Sequence, residues 1–503
     1  MKPLKTYLLC LLFLGGWAQN ACGEARWEKT IEYRFADGVG IKVHFTDEIL
    51  RKNGEGPLFA KNVLDAAVLA YQTIVQFEGF SSRGYSFAAP NTHYAHDPDK
   101  TLDIFLGTLE DNPYSAYGIG PLAFGDAPCF DTVPLSNHRF QAIILLPANY
   151  REFIRNWEKI NPSPLGKRNI EVDLRGTLAH EMLHAVLFYY NKNLNKERHA
   201  VESGSVGEKT KVDWYVEGLA RYFETFVGAR HDFFSQGFKE LLPDKVRFSR
   251  GGSNYFMRYP DQAFTELRYE NALFWRFIDY RKGMKQIELA SRRLRNGDAD
   301  RGLEETLKTL TGMPVERLLE EFSASILFKD FGLKDSDVYL KEVARTRLIY
   351  EGEGFYLADG FGGRDFLGKT CRTDWIGEWG EERASLGNLP VAGDNTPEAD
   401  VSAWATDYYV IEFPGRPGSL PRIGVSFVQG GRPLAAQLFL LSRGGAVIHK
   451  KISRIHVGQN RGWDLGGLAK EEGLRAEDIE KAYLLVTNTD SRTAASYEIL
   501  SNS

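Results

Sequence analysis

The sequence predicts an α+β domain followed by an all-β sandwich, and three features carry that expectation. Alternating runs near the start, TIEYRF (30–35) and GIKVHF (40–45), and the apolar runs TLDIFLGTL (101–109) and QAIILLPANY (141–150) read as strands. Residues 170–350 then carry mostly helical periodicity, as in YENALFWRFIDYR and PVERLLEEFSASILF. From about residue 355 the chain becomes turn-rich, and six short alternating runs follow: DYYVIEF, RIGVSFV, AAQLFLLS, AVIHKKI, AYLLVTN and SYEIL.

Each element has its local reason. Between Pro57 and Phe77, Leu64, Ala67, Val68, Tyr71, Ile74 and Val75 recur at helical spacing. The glycine- and proline-containing stretch AYGIGPLAFGDAPC reads as a long loop between two strands. The expected domains are a signal peptide over 1–23, an α+β domain over 24–355, a turn-rich linker over 356–395 and a β-sandwich over 396–503. For the sandwich, a supporting role is the simpler reading and a binding surface the sharper one.

At 503 residues the chain is long enough for two or three domains, each with its own core. Its formal net charge of −5 supplies no basic field, so neither nucleic acid nor an anionic membrane surface is an expected partner. Two lysines, an apolar run from Tyr7 to Ala18 and small residues form a secretory signal, too short to be a spanning helix. No other stretch reads as membrane-spanning. Export to the periplasm, the cell surface or the medium is therefore expected, with a lipid anchor at Cys22 as the less favoured variant because Gln19 stands where an aliphatic residue is usual. An exported chain also permits Cys129 and Cys371 to pair.

The chemistry is concentrated in TLAHEMLHAVLFYY (177–190). With 10 histidines in the chain, a chance His-Glu-x-x-His is expected in only about one such chain in a hundred. Leu178, Met182, Ala185 and Tyr189 share one helical face, and His180 and His184 sit one turn apart on a neighbouring face, spaced to grip one ion. Glu181 then flanks that ion without ligating it. A catalytic zinc needs a third protein ligand. Leu187 and Tyr190 exclude a nearby histidine scheme, which leaves a glutamate from the helix DWYVEGLARYFETFVG (213–228). Gly218 and Ala220 allow that helix a close approach. Glu224, two turns beyond Glu217, has two readings: an acceptor that orients a ligand histidine, or a salt bridge to Arg221.

HEMLH followed by WYVEGLARYFE resembles the glutamate-ligand zinc peptidases, the gluzincins, and in particular the helix shared by the M1 aminopeptidases and several secreted bacterial metallopeptidases. The resemblance implies a zincin-like catalytic domain, Zn2+ held by His180, His184 and Glu217, and Glu181 as general base. RYENALFW (268–275) resembles the segment that carries an oxyanion-stabilising tyrosine, which assigns Tyr269 that role. Two departures stand out. Glu217 follows His184 by 33 positions, longer than in M1 enzymes, and the added residues include the polar loop with His199. No Gly-x-Met-x-Asn motif precedes the metal helix, which favours internal cleavage of a peptide or protein substrate over trimming of free N-termini. QAIILLPANY has two readings, an edge strand that aligns extended substrate or a core strand. An aminopeptidase, another zinc hydrolase, or an exported binding protein with a structural zinc remain the alternatives.

Overall fold

A computed structural model describes residues 29–36, 38–77, 101–108, 129–135, 139–160, 170–190, 213–236, 271–293, 304–305, 307–308, 311–328, 330–332, 347–352, 355–359, 399–413, 417–490 and 492–502. The architecture is mixed α/β with a C-terminal region of antiparallel sheets. Two compact units share the chain, one drawn from residues 1–251 and 281–306, the other from 252–280 and 307–503. The signal segment, Cys10, Cys22, Cys371, His199 and Tyr269 lie outside the described residues, and with them the anchor and disulfide expectations.

The first unit is built on a five-stranded sheet in the order β1-β2-β3-β5-β4. Its strands are β1 (Lys29–Arg34), β2 (Gly40–Phe45), β3 (Thr101–Gly107), β4 (Cys129–Leu135) and β5 (Arg139–Pro147). β2, β3 and β5 run parallel, while β1 and β4 pair antiparallel at the two edges. β5 is therefore an interior strand, and the reading of QAIILLPANY as an edge is corrected. Its apolar run decides this, because Ile143, Ile144, Leu145 and Leu146 are all buried, as a strand covered on both faces requires. The edge is β4, where Pro134 is tolerated because an edge strand can spare one ladder donor.

Between the strands, α1 (Asp47–Lys52) is capped by Thr46, whose hydroxyl accepts from Ile49 N at 3.1 Å. α2 (Pro57–Tyr71) opens on proline, continues as a π-helical turn over Gln72–Phe77, and packs against β2. The stretch Pro57–Val75 is long and apolar enough to cross a membrane, which corrects the sequence reading that no such stretch follows the signal. Its Val63, Ala67, Ala70 and Tyr71 are buried in this unit, and a core helix has the same composition as a membrane span. After β5 come α3 (Tyr150–Ile160), α4 (Ile170–Tyr190) and α5 (Asp213–Gln236). α4 packs on α2, α5, β4 and β5 and so runs through the middle of the unit.

The remaining helices are α6 (Ala272–Lys282), α7 (Met284–Arg293), which packs on α4, and α8 (Val315–Phe328). In the second unit, β6 (Arg347–Gly352), β7 (Phe355–Asp359), β9 (Thr406–Glu412), β11 (Leu434–Ser442), β12 (Val447–Ile455) and β14 (Ile479–Asn488) form one antiparallel sheet, ordered β12-β11-β14-β9-β7-β6. A second contains β8 (Ala399–Val401), β10 (Arg422–Gln429), β13 (Asn460–Asp464) and β15 (Ala495–Asn502). Val425, Phe427, Leu438, Leu484 and Tyr497 close one core between the two sheets, beside the short helix α9 (Leu465–Glu471). Within that core Tyr497 donates to Asp407 and also meets the Tyr409 hydroxyl.

α8 belongs to this second unit. Its Ser323 hydroxyl meets Thr406 at 2.6 Å, its Ser323 carbonyl accepts from the Tyr408 hydroxyl at 3.1 Å, and its Glu320 carbonyl accepts from Gln437 at 2.9 Å. The division into units thus does not follow the boundary expected at residue 355. A polar seam, invisible to hydrophobic periodicity, ties this helix to the strands.

A candidate metal centre

α4 starts with Glu171 and Asp173 in its first turn, where carboxylates complement the helix dipole. From Leu178 to Leu187 every side chain is buried. The helix therefore has no solvent face over its central turns, and the expected one-sided pattern through Leu178, Met182 and Ala185 is replaced by burial all round. α3 fixes it one turn before His180, where the Tyr150 and Thr177 hydroxyls meet at 2.9 Å.

α5 lies against α4 and contributes buried Trp214, Glu217, Ala220 and Glu224. Trp214 stacks edge-on with Tyr215 at 5.6 Å between ring centroids. Ala220 is fully buried, and a methyl at this position lets the helices come close enough for a glutamate to reach across.

His180, His184 and Glu217 come together, each offering one donor atom, and these atoms lie within 4.8 Å of one another. Glu217 Oε2 stands 3.3 Å from His180 Nε2 and 3.6 Å from His184 Nε2. A tetrahedral zinc with bonds of about 2.1 Å has ligand-to-ligand edges of about 3.4 Å, so these separations match the edges of such a polyhedron. The two imidazoles sit edge to face at 79° with centroids 4.7 Å apart, which lets both Nε2 atoms turn towards one carboxylate oxygen. The donor set of two nitrogens and one oxygen suits a divalent transition metal, zinc and iron among them.

The opposite nitrogen of His180 faces a second carboxylate. Glu224 Oε2 is 3.5 Å from His180 Nδ1, and Glu224 also accepts from Arg221 Nη1 at 2.8 and 2.7 Å. The salt bridge to Arg221 is formed, and the same carboxylate stands within ion-pair distance of His180. Glu217 and Glu224, two turns apart on one helix, bracket one imidazole from its two sides. Glu181 sits between the histidines in sequence and is 7% exposed. Glu181, Glu217 and Glu224 share one buried region, where Arg221 offsets the charge of Glu224 and a cation held by His180, His184 and Glu217 would offset more.

Spacing sets Arg221 and His180 against each other as partners of Glu224, and does not reveal that one carboxylate oxygen stands near both. β4 is not marked as a strand in the sequence, where Pro134 interrupts its run. No known protein-family model matches the chain, and a search of curated proteins finds no significant relative.

Proposed function

We propose that this chain is an exported zinc-dependent peptidase of the gluzincin kind that cleaves within unfolded or extended polypeptide. The observation that carries the reading is the buried His180, His184 and Glu217 cluster, with Glu217 Oε2 3.3 and 3.6 Å from the two Nε2 atoms and Glu181 placed between the histidines.

In this reading His180 and His184 hold the zinc through Nε2, and Glu217 supplies the single anionic ligand. A zinc ion held there would supply Lewis acidity, making a water acidic near about pH 7 and a carbonyl more electrophilic. Glu181 accepts the proton of the attacking water and then delivers it to the departing amine. Its burial keeps bulk water from competing for that proton. Tyr269 is the proposed donor to the developing oxyanion. An extended substrate adds to the sheet at β4, whose outer side has no strand neighbour among the described residues and which contacts α4. The C-terminal sheets have the role of a support.

The test is digestion of an unfolded protein by the zinc-loaded chain lacking residues 1–23, with Glu181→Gln alongside. The parent should cleave, while Glu181→Gln should retain zinc and lose about 10²–10⁴-fold in turnover. Hydrolysis undiminished in the variant refutes Glu181 as the base. Peptides with blocked and free N-termini separate the endopeptidase from an aminopeptidase, and zinc without any hydrolysis favours a structural site.

A further inference from the structure

We propose that Arg221 is a positioning residue of the metal centre, acting on the zinc through Glu224 and His180. The inference rests on the zinc reading above and extends it to a residue outside the proposed ligand set. One atom carries it: Glu224 Oε2 is both the oxygen 2.7 Å from Arg221 Nη1 and the oxygen 3.5 Å from His180 Nδ1.

An ordinary helical ion pair between residues three apart is worth a few tenths of a kcal/mol and is made by exposed side chains free to rotate. This pair differs in two respects. Glu224 is 4% exposed, so its carboxylate has little water to compensate for a lost partner. Arg221 Nη1 also reaches both carboxylate oxygens, at 2.8 and 2.7 Å, a charge-assisted contact that holds the carboxylate in place. So held, Oε2 stays beside Nδ1, on the side of the imidazole opposite the Nε2 that faces Glu217.

Charge gives the same direction. Glu181, Glu217 and Glu224 bring three formal negative charges into the buried region, and a divalent zinc with Arg221 brings three positive. Removing the guanidinium leaves the centre one charge out of balance and leaves Glu224 free to turn away from His180.

The experiment measures zinc affinity by competition with a chromophoric chelator, on the mature chain and on Arg221→Met, Arg221→Lys, Glu224→Gln and the Arg221→Met/Glu224→Gln pair, with a thermal melt of each. Arg221→Met and Glu224→Gln should each weaken zinc about 10–100-fold, the range for loss of an outer contact to a ligand histidine. The double variant should bind no more weakly than Glu224→Gln alone, since Arg221 acts only through that carboxylate. Arg221→Lys keeps the charge on a shorter side chain without the planar guanidinium and should fall between parent and Arg221→Met, and it carries the test if Arg221→Met does not fold. Parent-like zinc affinity in Arg221→Met and Arg221→Lys, with only a lowered melting temperature, reduces the pair to a structural one and overturns the inference. Additive losses in the double variant overturn it as well. A parent chain that binds no zinc instead removes the proposed function itself, and this inference with it.

Discussion

Glu217 is 1% exposed and faces two imidazole nitrogens with one oxygen, so at the residue scale it has most to lose by substitution. In the proposed site it is the only anionic ligand, and Glu217→Ala would leave two imidazoles to hold a divalent ion. Metal analysis of purified Glu217→Ala should find almost no zinc, a larger loss than the about 10–100-fold expected of an outer contact. Full metal content in that variant would place the third ligand elsewhere. The pairing of His180 with His184 was legible from spacing, because i, i+4 histidines on a helix have few arrangements, whereas Glu217 was singled out by the gluzincin resemblance. The structure brings these three together. The bond from Arg221 to the oxygen facing His180 was not legible, since it depends on rotamers that only packing selects.

At the scale of elements, the helix–sheet seam of the second unit yields a pH prediction. His449 on β12 stacks on Phe439 at 4.2 Å, and its Nε2 lies 3.1 Å from Gln437 Oε1, while the other end of that amide donates to the Glu320 carbonyl on α8. Burial holds His449 below the ordinary imidazole range, with Lys451 adding to the effect. A lowered folded pKa means the unfolded chain binds more protons, so this contribution is complete above about pH 6.5 and is lost as pH falls below it. Denaturant unfolding at pH 7.5 and 5.5 should show lower stability at the acid end, with a smaller difference in His449→Gln. An identical difference in the variant would show that His449 does not contribute. Six of the ten described strands of this unit, β9 to β12, β14 and β15, were legible from alternation, while β6, β7, β8 and β13 were not. The assignment of α8 to them was not, because Ser323, Thr406 and Tyr408 meet through hydroxyls and a carbonyl that no apolar pattern marks.

Across the whole molecule, the C-terminal sheets do not form an appendage that starts after residue 355. α8 leaves buried Glu320, Ser323 and Ser325 that require partners, and Thr406, Tyr408 and Gln437 supply partners to the first two. A chain ending at residue 395 should therefore lose its cooperative melt and elute as aggregate, even with zinc supplied. A truncated chain that is monomeric and melts like the parent would show that α8 does not need the strands.

By itself the sequence determined the one-turn spacing of His180 and His184 on α4, the helical run that carries Glu217 on α5, and most of the strand runs. Those follow from periodicity and from the few residue types able to do the chemistry. Only the tertiary structure decided that β5 is interior and β4 the edge, that α4 is buried all round, and that Glu224 serves Arg221 and His180 together. Strand order and side-chain partners depend on contacts between residues far apart in the chain, and local pattern carries no record of which distant groups will meet.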